Sequence, residues 1–251
     1  MDPLITVITP AYNCEKLLSE SVESVKSQTY TNWELIVIDD HSTDNTRLII
    51  KKFASDDDRI KPIFLEANGG VANARNKGIA AARGKYVAFL DSDDLWMPDK
   101  LAKHVEYMEK NNYDFTYSNY KLIGYDGKFL KNMTFKKNRV NYKELLNLNQ
   151  IGCLTVVVRS EIIKRVMMPN LKHEDYATWL TILKKHVKYA ERIDAILAAY
   201  RKSNGSVSSN KLRTIPWTWN IYRNNQKLSF ANSLKQLAIF GILTTIKYMK
   251  R

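Results

Sequence analysis

Short continuous apolar runs alternate with longer stretches of helical periodicity through residues 1–112. Leu4–Thr9, Glu34–Asp39, Lys61–Leu65 and Lys85–Leu90 read as strands, rich in aliphatic and β-branched side chains. Between them apolar residues fall at helical spacing. Leu17, Leu18, Val22 and Val25 do so within Glu15–Gln28. Leu48, Ile49, Ile50 and Phe53 do so within Asp44–Ala54, a helix that Ser42 or Asp44 can cap. Val71–Ala82 reads as an alanine-rich helix, and Pro98–Asn111 as a helix with proline near its first turn. Strands that are apolar throughout leave no face for water. The alternation therefore predicts an α/β fold, a parallel sheet with helices on both faces.

Residues 113–211 are less regular. Asp114–Ser118 and Lys121–Tyr125 read as two strands before an Asp126-Gly127 turn, Leu154–Val158 as another, Asp175–Lys185 as a helix and Ile193–Tyr200 as a strand. This mixed region is expected to extend the sheet and build the second wall of a site. Residues 201–211 are polar and loop-like, and residues 212–251 helical. No internal repeat or low-complexity tract interrupts the chain.

The chain has 251 residues, enough for one sizeable α/β core with an appended segment. Its formal net charge of +13 points to an anionic partner: nucleic acid, an acidic membrane surface or a phosphorylated substrate. Cys14 and Cys153 are far apart and lack metal-ligand spacing, so a disulfide framework is unsupported and a reducing cytosol fits best. Met1-Asp2-Pro3 opens without a basic or long apolar stretch, so no signal peptide is expected. The longest apolar run, Leu237 to Ile246, is too short to span a bilayer.

In an open parallel sheet, ligands bind at the carboxyl ends of the strands. Three polar clusters fall there: Ala11-Tyr12-Asn13 after the first strand, Asp39-Asp40-His41-Ser42 after the second and Asp91-Ser92-Asp93-Asp94 after the fourth. In an extended stretch Asp91 and Asp93 project to one side. Crowded carboxylates repel unless a cation joins them, and oxygen-only ligands suit Mg²⁺ or Mn²⁺. Such an ion bridges two phosphates of a donor and offsets charge on a leaving diphosphate. A helix-capping acidic turn before Leu95–Met97 is the alternative. Asp40 can accept from a base or ribose, or serve only as a turn residue. Arg75, on a helix after the tight Asn68-Gly69-Gly70 turn, can pair with a phosphate or lie at the surface.

Four motifs then identify a resemblance. Val7-Ile8-Thr9-Pro10-Ala11-Tyr12-Asn13 resembles the opening motif of the family 2 glycosyltransferases, and Ile38-Asp39-Asp40-His41-Ser42-Thr43-Asp44-Asn45-Thr46 their second. Asn68-Gly69-Gly70 with Ala74-Arg75-Asn76-Lys77-Gly78 is similar to a third, and Phe89-Leu90-Asp91-Ser92-Asp93-Asp94 to their metal-binding DxD motif. The order and spacing agree over the first hundred residues. The resemblance implies a GT-A fold, a Rossmann-like nucleotide-binding sheet, and inverting transfer from a nucleotide diphosphate-sugar. By motif position, Pro10, Ala11 and Tyr12 line the nucleotide pocket, and Asp40 contacts the base, often uracil. Asp91, with Ser92 beside it, lies near the ribose or donor sugar. Asp93 holds the metal, and Asp94 is a further metal candidate.

An inverting displacement needs one general base for the acceptor hydroxyl. The family places it in an acidic pair opening a later helix, where His173-Glu174-Asp175-Tyr176 stands. Asp175 is the expected base and Glu174 its rival. Charge complementarity at a helix N-terminus would also explain the pair. His173 has no second ligand at zinc spacing. Arg201 or Lys202, after the last strand, is expected near the diphosphate.

No Asp or Glu occurs after Asp194, whereas basic and aromatic residues interleave to the end. Such a tail suits either an anionic membrane surface or packing on the core with a basic outer face. No recognition-helix, zinc-finger or RNP-like pattern supports nucleic acid. A dehalogenase-type phosphatase is disfavoured because Leu95 stands where Thr or Val would follow, and because the cluster trails the fourth strand. A nucleotidyltransferase lacks its basic glycine-rich opening loop, and dinucleotide and P-loop fingerprints are absent. The intact acids argue against a non-catalytic binding protein on the same fold.

The expectation is thus a metal-dependent hexosyl- or N-acetylhexosaminyltransferase. It would use a UDP-sugar and a lipid-linked or polysaccharide acceptor in envelope glycan synthesis such as lipopolysaccharide, capsule or a teichuronic-type polymer. It would be cytoplasmic or peripheral on the inner membrane face. Residues 1–112 would bind the donor, 113–211 the acceptor, and 212–251 form the tail.

Overall fold

A computed structural model describes residues 2–202 and 211–249. The first elements match the expected alternation: β1 (Ile5–Ala11), α1 (Leu18–Lys26), β2 (Trp33–Asp39), α2 (Thr46–Asp56), β3 (Ile60–Phe64), α3 (Val71–Ala81) and β4 (Tyr86–Phe89). After β5 (Leu95–Trp96) and α4 (Lys100–Asn111) come β6 (Phe115–Ile123), β7 (Phe129–Met133), β8 (Arg139–Val140) and α5 (Tyr142–Asn147). A 3-10 turn at Cys153–Thr155 leads to β9 (Val157–Arg159), α6 (Ser160–Val166), α7 (Glu174–Lys185) and β10 (Ala190–Arg201). The chain ends in α8 (Lys211–Asn220), a π-helical turn at Ile221–Asn225, and α9 (Phe230–Met249).

One sheet runs through both regions in the order β3-β2-β1-β4-β9-β6-β10-β5. β3, β2, β1 and β4 are mutually parallel, and β9 enters antiparallel between β4 and β6. Successive residues of the central strands feed opposite cores. Ile5, Val7, Leu35 and Val37 join one beneath α1 and α4. Ile8, Ile36 and Ile38 join the other with α3 and α7. This double burial is why the strands carry no polar alternation. α3 lies very close to the sheet: a Cβ on Gly78 would stand 2.6 Å from Ile8 Cγ2 and 2.9 Å from Ile38 Cδ1.

Several expectations are corrected. Asp114–Ser118 and Lys121–Tyr125 are not separate strands but one, β6. Asn119 does not break it, because its amide donates to Asp194 at 3.0 Å and accepts from the Phe135 backbone N–H at 3.2 Å. The expected strand Leu154–Val158 begins instead as the 3-10 turn, with only β9 extended. Asp91–Asp94 is not extended either. The Asp94 N–H reaches back to the Asp91 carbonyl at 3.1 Å, closing a turn. Neither Ser42 nor Asp44 is the N-cap of α2, which is Asn45, although Asp44 accepts from the Thr46 N–H at 3.0 Å. Most of the expected 201–211 loop, residues 203–210, lies outside the described residues.

The tail packs and is exposed at once. Ile221 and Tyr222 are fully buried, and Leu237 and Phe240 pack on the same core from α9. The Tyr222 hydroxyl donates to the Leu146 carbonyl at 2.7 Å and lies 3.1 Å from the Tyr176 hydroxyl on α7.

Candidate active site

The three clusters meet at the carboxyl edge of β1, β2 and β4, laced by their own polar groups. Pro10 and Ala11 are buried at the end of β1, and Tyr12 beyond them is 51% exposed. Asn13 takes a left-handed φ of 46°, which turns its side-chain oxygen to accept from the Thr43 N–H at 2.9 Å. The Asp40 N–H donates to the Ala11 carbonyl at 2.8 Å. The Asp40 carboxylate accepts from the Gly69 and Gly70 N–H groups, each at 2.8 Å. Gly70 can present its amide this way because it sits at φ 80°, a conformation open to glycine. Asp40, expected at the base, therefore also holds the loop that starts α3. Asp39 pairs with Arg47 at 2.8 Å. A hydrogen bond joins Ser92 to the Cys14 side chain.

Arg75 ties the two regions together. Its Nη2 pairs with Asp91 after β4, and its Nη1 with Glu174 at the start of α7. The guanidinium side chain is only 4% exposed. The structure thus removes the surface alternative for Arg75. Both prongs are taken by carboxylates, which makes it a cation buried between acids. Burial raises the pKa of Glu174 and Asp175, and Arg75 opposes that rise. The Asp175 carboxylate accepts from the Tyr176 backbone N–H and, unlike Glu174, makes no direct ion pair with Arg75. His173 precedes the pair in a left-handed conformation, its ring 5.3 Å from that of Trp217 on α8.

Asp93 has its pKa pushed up to about 6 by burial and then by the neighbouring Asp91 carboxylate. Asp91 and Asp93 offer hard carboxylate oxygens of the kind Mg²⁺ or Mn²⁺ takes, with one Asp91 oxygen shared with Arg75. No group of three or more ligand-type side chains with metal-binding geometry occurs among the described residues. A divalent ion here would complete its shell from water and substrate phosphates, the usual arrangement for Mg²⁺. The donor set fits that role.

Two expected residues are placed differently. Asp94 is buried, and one oxygen accepts from the Arg201 N–H at 2.8 Å while the other has no partner. Burial, then Asp93 and Asp91, raise its pKa well above the usual range. It braces the turn from beneath. Arg201 is spent: it donates to the Asp93 carbonyl and the Tyr125 carbonyl, both at 2.8 Å, and to Glu20 at 2.6 Å. It is a buried strut whose guanidinium is occupied by protein groups, while Lys202 beside it is exposed.

Sequence reasoning missed Cys153, a buried thiol near Arg75, Asp91, Asp175 and Glu174 whose pKa burial pushes well up. It also missed Trp217 at the threshold of the acidic pair. Neither lies in a motif, and each arrives through chain reversals that local spacing does not encode.

Residues 6–168 match the Glycosyl transferase family 2 profile. The chain is 42% identical over 229 residues to TuaG of Bacillus subtilis (strain 168), named for teichuronic acid biosynthesis, covering 91% of this chain and 90% of that one. It is 41% identical over 223 residues to WfgD of Escherichia coli, a UDP-Glc:α-D-GlcNAc-diphosphoundecaprenol β-1,3-glucosyltransferase, covering 88% and 85%. Among solved structures, S. aureus TarS 1–349 with UDP-GlcNAc superposes with a TM-score of 0.72 at 25% identity, covering 94% of this chain and 71% of that one. The mannosyltransferase PcManGT of Pyrobaculum calidifontis, solved with GDP-Man and Mn²⁺, shares the fold at a TM-score of 0.69 and 18% identity, covering 91% and 66%. The chain belongs to glycosyltransferase family 2 and has the GT-A fold.

Proposed function

We propose that this glycosyltransferase inverts configuration as it moves a hexose or N-acetylhexosamine from a UDP-sugar to a hydroxyl of a lipid-linked or polysaccharide acceptor. The product would be an envelope glycan. The observation that carries this reading is the Arg75 bridge, which brings the acidic turn after β4 and the acidic pair of α7 to one point. Relatives named for lipid-linked acceptors and teichuronic acid, and a fold neighbour holding UDP-GlcNAc, support the substrate classes. Residues 1–112 serve the donor and 113–211 the acceptor, with 212–251 as the tail.

Pro10, Ala11, Tyr12 and Asp40 border the uridine, with Asp91 and Ser92 towards the ribose and sugar. Asp175 removes the proton from the acceptor hydroxyl as that oxygen attacks the anomeric carbon. The bond to the diphosphate breaks on the opposite face, and UDP leaves. Asp175 is favoured over Glu174 because Glu174 is already paired with Arg75. Asp93, with Asp91 adjacent, would hold Mn²⁺ or Mg²⁺, which when bound supplies positive charge to the diphosphate. An enzyme that works on a lipid-linked acceptor would sit at the cytoplasmic membrane face.

Isothermal titration of UDP, with and without Mn²⁺, tests the donor site in wild type and Asp93→Ala. Metal-dependent binding lost in the variant is expected. Asp175→Asn should retain UDP binding and lose transfer. Absence of UDP binding under every condition overturns the donor assignment.

A further inference from the structure

The last helix presents a face that nothing among the described residues covers. α9 has 20 residues. Ser233, Leu237 and Phe240 face the core side, where Phe240 meets Tyr176 with ring centroids 5.8 Å apart. On the other side Phe230, Leu234, Ile242 and Ile246 are 63%, 55%, 63% and 43% exposed. Ala231, Ala238, Gly241 and Thr245 are exposed among them. At 3.6 residues per turn these positions fill an arc of roughly 160° along a rod about 30 Å long. Among the described residues, the one charged side chain in that arc is Lys235. Nearby, Ile215 of α8 is 46% exposed, and Lys227 is exposed in the link between α8 and α9. A continuous apolar face of this length is unusual on a free surface.

No helix among the described residues is long and apolar enough to cross a membrane. The helix also cannot leave the core cheaply, since its inner face is packed. It can lie flat. Charge selects what it lies on. From residue 195 onward there is no acidic side chain, and the whole chain carries +13. Two such surfaces repel one another, whereas a leaflet of anionic lipid attracts them and accepts the apolar arc between its headgroups.

We propose that the outward face of α9, centred on Leu234, Ala238 and Ile242, is an interfacial membrane-binding surface for anionic phospholipid. The proposal rests on the lipid-linked acceptor reading above and names the surface on which that acceptor would be met. Lys235 and Lys227 contact headgroup phosphates while Phe230, Leu234, Ile242 and Ile246 enter the acyl boundary. Trp217 of α8 stands against His173 beside the acidic pair, so the docked tail adjoins the catalytic edge.

Truncating the tail is the wrong test, because Ile221 and Tyr222 belong to the core. The full chain should be floated with vesicles of phosphatidylcholine alone and with vesicles containing about a third phosphatidylglycerol. Leu234→Glu/Ile242→Glu serves as the variant, since both positions are exposed and tolerate a charge without unfolding. Wild type is expected to float with the anionic vesicles, less so at high salt, and the double variant to bind at least about tenfold more weakly. UDP titration, read in parallel, should be the same for both proteins. Failure of wild type to float, or equal flotation of the variant, overturns the proposal while leaving the donor site standing. Loss of UDP binding in wild type instead strikes the proposed function. A concentration-dependent dimer dissolved by the double substitution reassigns the face to a second copy of the chain and refutes the lipid surface.

Discussion

Replacing Arg75 with methionine removes the cation from among Asp91, Glu174 and Asp175 while keeping most of the apolar stem. The guanidinium is 4% exposed, Glu174 10% and Asp91 30%. Breaking a buried pair from one side costs about 3–5 kcal/mol, because the partner charge is stranded. Water reaches Asp91, which argues for the lower end, about 3 kcal/mol. For a domain of this size 1 kcal/mol moves Tm by roughly 2–4 °C, so a fall of roughly 6–12 °C is expected at neutral pH. The loss must depend on pH. Burial already raises the folded pKa of Glu174 and Asp175, and Arg75 holds that rise down. Without it both rise further above their unfolded values of about 4. A carboxyl with a raised folded pKa costs nothing below the unfolded value and costs progressively more as pH climbs through the folded one. Differential scanning of wild type and Arg75→Met from pH 4 to 8 should therefore give curves that converge in acid and diverge above about pH 5. The acid limb of the pH–rate profile should move upward in the variant. A loss of equal size at every pH would mean that Arg75 acts by packing alone and would refute the electrostatic argument. Arg75→Lys should recover only part of the stability, because a single ammonium cannot fork between two carboxylates.

Other outcomes rest on the same geometry. Asp93→Asn should lose metal-dependent UDP binding yet stabilise the metal-free protein by an order of 2 kcal/mol. A carboxyl raised to about 6 makes wild type weaken between about pH 4 and 6, and the variant lacks that slope in thermal melts. Gly78→Ala should cost about 1–3 kcal/mol, because its methyl would meet Ile8 and Ile38 within 3 Å, and transfer should fall with it as Arg75 shifts. Arg201→Met should lower Tm by removing three contacts that brace Asp93, Tyr125 and Glu20. A variant that melts normally yet binds UDP poorly would restore Arg201 as a diphosphate ligand.

Residues 1–112 were legible because their information is local. Each central strand is an apolar run because it is buried twice, and each polar turn of the candidate site comes directly after such a run. Asp40 and Asp91 are found by that rule. What they touch is not, since the Gly69 and Gly70 amides and Arg75 come from elsewhere in sequence. Residues 113–211 were less legible for a related reason. β5 and β8 are two residues each, below any periodicity, and Asn119 looks like a strand end until its partners are seen. The turn at Asp91–Asp94 shows the limit most directly. Alternation places Asp91 and Asp93 together by pleat geometry, whereas in the fold a turn crowds them and buries Asp94 beneath.

The burial of Ile221 and Tyr222 has a consequence for how the protein is made. The core they close also contains Phe115, Val158 and Trp179, so it is complete only once the chain has been synthesised past that point. A chain emerging from its N-terminus can finish the β1–β4 half early and must leave the Tyr176 hydroxyl and the α5–α7 surface waiting. Leu237 and Phe240 pack on that core from α9, so the outward apolar arc of the same helix emerges together with the residues that seal it.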